Sequence, residues 1–395
     1  MYKQAGVMGG QALLARWAAI GVAVLLCAPW LVPSSKVYHQ LLAVLLWLPA
    51  LCSLGYAAFR SHLASPDLWL YVAFAAWTLL ILIVRGSEEP VSDAKVVAYV
   101  TLSLLGFLLA ARAGDASVER LLIFGVLLGG VGAGLSWLHF YVLEQNPFSS
   151  RLTALGIWDT VIMAAHAVGA LAVVGLAMVV GRPWRLAWLL PAGVAAIGYL
   201  AFLLSSQTRG VWLALLASLM VILVSVPRWI GLTVLFGLLL AVAAVAIYDV
   251  QMLMQRGLSY RLELWGGGLQ LIAENTWFGI GFHEFKLTVP GLTNQFKHPH
   301  NLFIDTGVRL GVGGLLIFCV LWLLCLWRAW QARDSALGRA LLALWLFATV
   351  SLMTDGIGLW RKPNADWLIT WLPIALGLLL ARRNADYASS DRPRS

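Results

Sequence analysis

The chain has 395 residues, of which 61% are hydrophobic and 11% are charged, and its mean hydropathy is +0.85. A soluble domain carries roughly twice that share of charge, so the composition excludes a soluble globular protein and predicts an integral membrane protein. The formal net charge of +9 would suggest nucleic acid as a partner of a soluble protein, but in a membrane protein the positions of the basic residues matter more, and we expect no nucleic-acid partner.

Apolar runs of about 17 to 25 residues, long enough to cross a bilayer core as helices, recur along the whole chain. We therefore expect a single all-α membrane domain over residues 1–395, with about twelve transmembrane helices. The predicted spans are 12–32, 38–59, 68–84, 96–111, 120–143, 157–181, 184–204, 211–226, 229–248, 301–327, 338–359 and 366–381.

Basic residues distinguish the two sides of the predicted membrane domain. An even number of spans puts both termini on the same side, and the positive-inside rule assigns the turns rich in arginine to the cytoplasm. With the N-terminus inside, the inside turns carry Arg60, Arg112, Arg120, Arg182, Arg185, Arg228, Arg328, Arg333 and Arg339. We therefore predict cytoplasmic termini and a polar cytoplasmic tail over residues 384–395.

One long connection, residues 249–299, then lies outside, which in a bacterium is the periplasm. Within it, residues 259–274 have a helical pattern, and Arg261 and Trp265 fall one turn apart on one helix face. A glycine-punctuated aromatic turn follows at residues 277–282. The connection is long enough to cover an active site.

Some basic residues lie on the predicted outside face, where the positive-inside rule does not favour them. They are Arg209, Arg256, Arg261 and Lys297. Because a guanidinium is always charged and binds phosphate oxygens through a fixed fork of donors, two arginines facing one cavity would bind a diphosphate. The alternative for a single arginine is an interfacial side chain bonded to lipid headgroups or loop carboxylates. We favour that alternative except for Arg209, which lies in a tight turn between two apolar runs.

A polar stretch at residues 297–301 runs into the predicted helix that follows and brings ionisable groups to the membrane boundary, where such groups usually mark function. His300 is the candidate base for a sugar hydroxyl, since imidazole takes up a proton near neutral pH. Asp305 and Arg309 are one turn apart and are expected to form a structural pair. His298 lacks the carboxylate or cysteine pattern of a metal ligand, so we predict no metal site.

Other ionisable residues fall in or near apolar spans. Asp159 and His166 share one helix face, where they either line a cavity or bond to a neighbouring helix, and we favour the second interpretation. Glu88, Glu89 and Asp93 lie on an outside turn and are interpreted as a solvated face. The alternative for these three acids is a site for a hydroxyl acceptor or its counter-ion.

Several of these residues resemble the motifs of bacterial O-antigen ligases, in the superfamily that also holds O-antigen polymerases and protein O-oligosaccharyltransferases. The matching elements are Thr208-Arg209-Gly210, Arg261 with Trp265, Gly279-Ile280-Gly281 with Phe285, His300-Asn301, and Gly311 with Gly314. They cover the C-terminal half of the chain, and the N-terminal half matches only in its helix count. Thr276-Trp277 stands where the family pattern has a proline, which affects the expected loop geometry.

The resemblance implies a glycosyltransferase of the GT-C type in the inner membrane of a Gram-negative bacterium. Such an enzyme moves preassembled O-antigen from undecaprenyl diphosphate to a sugar of the lipid A core, on the periplasmic side, without a nucleotide sugar, cofactor or metal. By the same resemblance, His300 is the base, and Arg209 and Arg261 bind the diphosphate and stabilise it as it leaves. Lys297, His298 and Asn301 are further substrate-binding candidates. Attack opposite the leaving diphosphate predicts an inverting reaction.

Two alternatives remain open at this stage. A polymerase or a protein O-oligosaccharyltransferase differs from the ligase only in its acceptor, and the compact loops with a short segment after Arg383 favour the ligase over a protein acceptor. A transporter of polysaccharide lipids would be expected to show two related halves with broken helices in corresponding positions. The sequence has no such pairing, and its polar groups concentrate at one face, which favours an enzyme.

Overall fold

The structure is a computed structural model that describes residues 2–114, 117–158, 160–180, 186–224, 260–293 and 295–390. Most of these residues are helical, and the one sheet found among them is a pair of two-residue antiparallel strands, β1 (Leu287–Thr288) and β2 (Gln295–Phe296). The prediction of an all-α integral membrane protein is confirmed.

The helices of the N-terminal half begin at residues that stabilise a helix start. Ser34, Ser65 and Thr160 each accept a hydrogen bond from a backbone N–H of the following first turn, as N-cap residues do. The helices are α1 (Tyr2–Cys27), α2 (Ser35–Leu42), α3 (Leu48–Ser53), α4 (Ala57–His62), α5 (Pro66–Arg85), α6 (Pro90–Ala110), α7 (Ser117–Leu138) and α8 (Val161–Val179). Short helical turns at Ala28–Trp30, Ala43–Trp47, Ala111–Ala113 and His139–Leu143 extend or join them.

The C-terminal half continues with helices before, within and after the long connection predicted from the sequence. They are α9 (Leu186–Ser205), α10 (Arg209–Val224), α11 (Arg261–Glu274), α12 (Leu302–Gln331), α13 (Ala336–Asp355) and α14 (Trp367–Ser390). Helix α11 is the short helix predicted within the long connection.

Nine helical stretches among the described residues are long and apolar enough to cross a membrane. They correspond to the predicted spans from 12–32 to 184–204 and to those at 301–327 and 338–359. The span predicted at 211–226 is a shorter apolar helix, Arg209–Leu223, and the one at 366–381 lies in α14. The span predicted at 229–248 lies outside the described residues.

Helix α14 is enclosed by the rest of the bundle. Every residue from Trp367 to Ala381 is buried, and the helix packs against α6, α8, α12 and α13. At Gly377 a Cβ would lie 2.9 Å from Cys325 Sγ, so α12 and α14 meet closely. The segment that leads into α14, residues 356–366, is thereby held over one end of the bundle.

The loops separate into two groups that match the predicted sides of the membrane. At one end, backbone or side-chain hydrogen bonds join Ile157 to Pro29, Leu152 to Ser205, Phe282 to Gly86, and His39 to Pro363. At the other end, contacts join Arg112 to Ala58, Arg328 to Asp67, Arg339 to Val180, Arg382 to Ala64, and Arg383 to Glu119. The connections predicted outside thus contact one another, as do those predicted inside, while the side that faces the cytoplasm stays a prediction.

Candidate active site

The glycines of the motifs join the long connection to α12. Gly311 interrupts α12 with φ +68°, in the left-handed region that favours glycine. A Cβ there would lie 2.3 Å from Trp277 O, and one at Gly279, with φ +62°, would lie 2.5 Å from Arg309 O. The two backbones therefore meet at a distance that only glycine permits.

The interruption at Gly311 frees backbone groups that the aromatic turn then satisfies. Ile280 N and Gly281 N donate to Val308 O and Arg309 O at 2.9 and 3.0 Å, and Val312 N donates to Thr276 O at 2.7 Å. A buried backbone group without a partner is costly, so these bonds fasten the turn onto the kink. The Gly-x-Gly and Gly-x-x-Gly elements have a structural role here.

His300 lies on the turn that leads into α12. Its φ is +53°, an uncommon conformation for a residue other than glycine. The next residue, Asn301, is the N-cap of α12, and its Oδ1 accepts from Phe303 N at 3.0 Å and from Ile304 N at 3.2 Å. The structure thus gives Asn301 a helix-capping role that fixes the turn of His300, and its predicted substrate contact stays untested.

Asp355, at the C-terminal end of α13, joins two of the predicted catalytic residues. His300 Nδ1 lies 2.6 Å from its Oδ1, and Arg261 Nη2 lies 3.7 Å from its Oδ2. Only 6% of Asp355 is exposed. The sequence interpretation did not single out Asp355, although an acid at the outer end of an apolar span is a recognisable signal for function.

The segments that carry Arg209 and Arg261 both contact Thr354, the residue beside Asp355. Arg261 Nε donates to Thr354 O at 2.5 Å. Arg209 begins α10, and a Cβ on its neighbour Gly210 would lie 2.7 Å from Thr354 Oγ1, so α10 starts in direct contact with Thr354. The two residues Thr354 and Asp355, which we call the outer corner, therefore bring together the three segments that carry His300, Arg209 and Arg261.

The turn in front of Arg209 is held by another arginine. Arg151 Nε donates to Ser206 O at 2.7 Å, and its Nη2 donates to Thr208 Oγ1 at 3.0 Å. Between these two acceptors Gln207 has φ +49°. Arg151 thus stabilises a strained turn, a role that no local pattern in the sequence indicated.

A cavity of about 290 Å³, which we call the first cavity, opens beside His298, and its lining does not include His300, Arg209 or Arg261. His298, Asp305 and Arg309 line it, and the His298 ring contacts the His300 ring with centroids 4.0 Å apart. Burial and the neighbouring His300 lower the pKa of His298 from 6.5 to about 4. His298 is therefore neutral at physiological pH.

Asp305 and Arg309 form the predicted pair within α12. Arg309 Nε donates to Asp305 Oδ2 at 3.0 Å, and the Arg309 guanidinium lies 5.3 Å from the centroid of the Phe285 ring. The predicted pairing is confirmed. Both residues also face the first cavity, where the other carboxylate oxygen, Asp305 Oδ1, is buried without a partner among the described residues.

The other predicted residues lie around or away from this cavity. Lys297 lines it and forms an exposed ion pair with Glu284 at 2.8 Å. His166 is buried and its Nδ1 lies 3.1 Å from Oδ1 of Asp366, which lies in the turn just before α14 and not in a neighbouring helix. Arg256 and Asp159 lie outside the described residues.

We assign no metal site to the described side chains. In the described ranges no group of three or more His, Cys, Asp or Glu residues is arranged to hold a metal ion. Metal independence stays a prediction.

Fold and site together define a multi-pass all-α membrane protein with a charged corner and a cavity at one end of its bundle. Comparison with known proteins narrows this class. The family model described as O-antigen ligase matches residues 194–319, a range that contains Arg209, Arg261 and His300 but ends before Asp355.

A curated relative extends the similarity over most of the chain. The O-antigen ligase of Pseudomonas aeruginosa is 27% identical over 369 residues, which are 92% of this chain and 90% of the relative. The resemblance to O-antigen ligases is therefore confirmed, and the similarity supports a transferase activity of the glycosyltransferase type.

Proposed function

We propose that the protein is an O-antigen ligase of the periplasmic face of the Gram-negative inner membrane. It transfers preassembled O-antigen polysaccharide from undecaprenyl diphosphate to a sugar of the lipid A core, while the surrounding membrane lipids hold both lipid-linked substrates. The observation that carries the proposal is the outer corner, where His300 and Arg261 share Asp355 and where α10 begins at Arg209 against Thr354.

In this proposal His300 is the base on the acceptor hydroxyl. The Asp355 carboxylate, 2.6 Å from His300 Nδ1, accepts a hydrogen bond from the protonated Nδ1, so the ring lone pair lies on Nε2. Nε2 takes the proton of the acceptor hydroxyl as its oxygen attacks the donor sugar. The carboxylate then stabilises the imidazolium that forms, as a carboxylate does behind a catalytic histidine.

Arg209 and Arg261 bind the diphosphate of the donor. The acceptor oxygen forms a bond to the anomeric carbon while the bond from that carbon to the diphosphate oxygen breaks, and undecaprenyl diphosphate leaves with the electron pair. Fixed guanidinium groups stabilise this developing negative charge, and preorganised donors of this kind are worth several kcal/mol of barrier. A single displacement inverts the anomeric configuration and requires no metal.

The test is ligation by the full-length protein in nanodiscs, with undecaprenyl-diphosphate glycan and lipid A core supplied and EDTA present. His300→Ala, Arg209→Ala and Arg261→Ala are compared with the wild type. Arg333→Ala is the matched control, because this arginine lies at the opposite end of the bundle and stacks over Trp330 at 4.8 Å. We expect product from the wild type and the control, and folded but inactive variants at the three site positions.

Other outcomes assign a different function or overturn the site. Elongation of the donor glycan without lipid A core identifies a polymerase, and glycan on an added protein identifies an oligosaccharyltransferase. Normal ligation by all three site variants excludes the proposed site. A retained anomeric configuration in the product excludes the single displacement.

A further inference from the structure

A second cavity adjoins the first one at the same end of the bundle. It has a volume of about 380 Å³ and lies between α2, the start of α6 and residues 360–364. Polar side chains that belong to this cavity alone are Ser35, His39, Glu89, Ser92, Lys362 and Asn364. None of them has a role in the base and leaving-group chemistry proposed above.

The two cavities share one wall, formed by Asp93, Trp360 and Arg361. The Trp360 ring is fixed by Phe74, with centroids 5.4 Å apart, and by Trp371, with centroids 5.0 Å apart. Trp360 is only 8% exposed. Its Nε1–H has no hydrogen-bond partner among the described residues.

A buried donor without an acceptor is costly, so a ligand that brings a hydrogen-bond acceptor to this wall would suit the unpartnered indole N–H of Trp360. A sugar hydroxyl is such an acceptor. The apolar face of a sugar ring also suits an aromatic wall, because aromatic side chains combine an apolar surface with a polar end.

The charges that line the second cavity balance one another. Glu89 and Asp93 contribute carboxylates, while Arg361 and Lys362 contribute a guanidinium and an ammonium group. A lining with both signs offers a diphosphate no net attraction, whereas hydroxyl groups donate to carboxylates and accept from a guanidinium or an ammonium group. The lining therefore matches a hydroxyl-rich ligand.

The walls of the second cavity are already fixed in shape. His39 Nε2 lies 3.1 Å from Pro363 O and ties α2 to the segment before α14. Asn364 Nδ2 donates to Lys362 O at 3.0 Å, and Asn364 Oδ1 accepts from Asp366 N at 2.9 Å. A preformed site loses little conformational freedom on binding.

We propose that the second cavity is the acceptor subsite and binds the hydroxyl-rich saccharide headgroup of a lipid-anchored acceptor. This inference rests on the proposed function, since a direct transfer needs the acceptor hydroxyl beside the donor sugar. The two cavities meet at the shared wall: the donor sugar lies on the side of His298, whose ring contacts that of His300, and the acceptor lies on the side of Ser92 and His39. His300 lines neither cavity, so the acceptor hydroxyl extends beyond this wall to reach it.

The first test fills the cavity. Ser92→Phe places a ring in the second cavity, and Val91→Phe places the same ring on the adjacent position of α6, which is 66% exposed and does not line it. We expect Ser92→Phe to raise the KM for lipid A core by about tenfold or more and to leave the KM for the lipid-linked donor unchanged. Val91→Phe leaves both constants unchanged.

Direct binding separates this inference from the proposed function. Binding of lipid A core and of undecaprenyl diphosphate to the full chain in nanodiscs is measured by thermal shift. If the wild type transfers no glycan, the proposed function fails, yet loss of lipid A core binding in Ser92→Phe alone still supports a saccharide subsite. Unchanged lipid A core binding in folded Ser92→Phe, or a loss of donor binding instead, overturns the inference.

A second variant covers the case in which Ser92→Phe does not fold. Glu89→Gln with Lys362→Ala changes two exposed side chains and removes polar contacts without adding volume. We expect weaker lipid A core binding and unchanged undecaprenyl diphosphate binding. If both affinities match the wild type, the second cavity is not the acceptor subsite.

Discussion

Two buried carboxylates, one at each end of the bundle, bind arginine in different ways. Asp67 accepts hydrogen bonds from Nε and Nη2 of Arg328 at 2.9 and 2.8 Å, and Nη1 of the same guanidinium donates to Gln331 at 3.1 Å. At the other end Asp355 holds His300 at 2.6 Å and lies 3.7 Å from Arg261. All three nitrogens of Arg328 are occupied, whereas Arg261 makes one hydrogen bond and one long ion pair within the described part of the chain.

We interpret the Asp67–Arg328 pair as a structural contact and, under the proposed function, the Asp355 cluster as a site that acts on substrate. A bidentate arginine–carboxylate pair satisfies both partners and gives a fixed geometry, so the Asp67–Arg328 pair is suited to holding α5 against α12. Where a carboxylate is shared between a histidine and a loosely paired arginine, some N–H groups of that arginine remain available to bind a substrate. We expect substitutions in the outer corner to reduce transfer, and substitutions of the inner pair to reduce stability.

The largest expected effect is that of Asp355→Asn on transfer. Without the carboxylate, His300 loses the partner that orients its ring and stabilises its charged form, so kcat for ligation should fall by about 10²-fold or more. The check is steady-state ligation together with a thermal melt in detergent. Near-normal kcat in the folded variant would remove Asp355 from the mechanism.

Asp67→Asn should lower stability and leave kcat unchanged. The Arg328 guanidinium, whose side chain is 22% exposed, then loses a charged hydrogen-bond partner, which costs about 2 kcal/mol of stability, while the outer corner is untouched. Thermal unfolding in nanodiscs should show a lower melting temperature, and kcat per folded molecule should equal that of the wild type. A loss of kcat without a loss of stability would contradict the comparison.

Gly311→Ala tests whether the outer corner depends on the docked aromatic turn. A left-handed conformation costs a residue with a Cβ about 1–2 kcal/mol, and here the Cβ also meets Trp277 O at 2.3 Å. We expect easier proteolysis within residues 275–282 and a clear loss of transfer. Gly266→Ala is the matched control, because a Cβ at this position of α11 meets nothing within 4 Å; equal behaviour of the two variants would refute the docking role.

The smallest expected effect is a pH dependence that comes from His298. Its folded-state pKa, about 4, lies below its usual 6.5 because of burial and the adjacent His300, so the unfolded chain binds the proton more tightly. The stability contribution is therefore present above pH 6.5 and is lost as the pH falls towards 4. His298→Asn should make the melting temperature less sensitive to pH across this window, by about a few degrees. If the melting temperature of the variant depends on pH as that of the wild type does, His298 is not the source of this dependence.

Residues of the site whose partners are close in the chain could be predicted from the sequence. Asp305 and Arg309 are one helical turn apart, so their pairing followed from helix geometry. Asn301 had the position of a helix N-cap, a residue just before an apolar run, but the family resemblance drew attention to a substrate role instead. The structure shows that this side chain caps α12.

The residues that were missed act across long distances in the chain. Asp355 is 55 positions from His300, and Arg151 is 57 positions from Thr208. Trp360 had no distinguishing pattern among twenty tryptophans. No periodicity relates such residues, so only packing of the helices reveals their contacts.

The membrane class, the positions of most helices and the order of the motifs follow from local patterns, because apolar runs and helix ends depend on residues close together in the chain. The meeting of the segments that carry Arg209, Arg261 and His300 at Thr354 and Asp355, and the two cavities that share Trp360, do not follow from any local pattern. The ends of separate helices form these sites, and the packing of the whole bundle sets which ends come together.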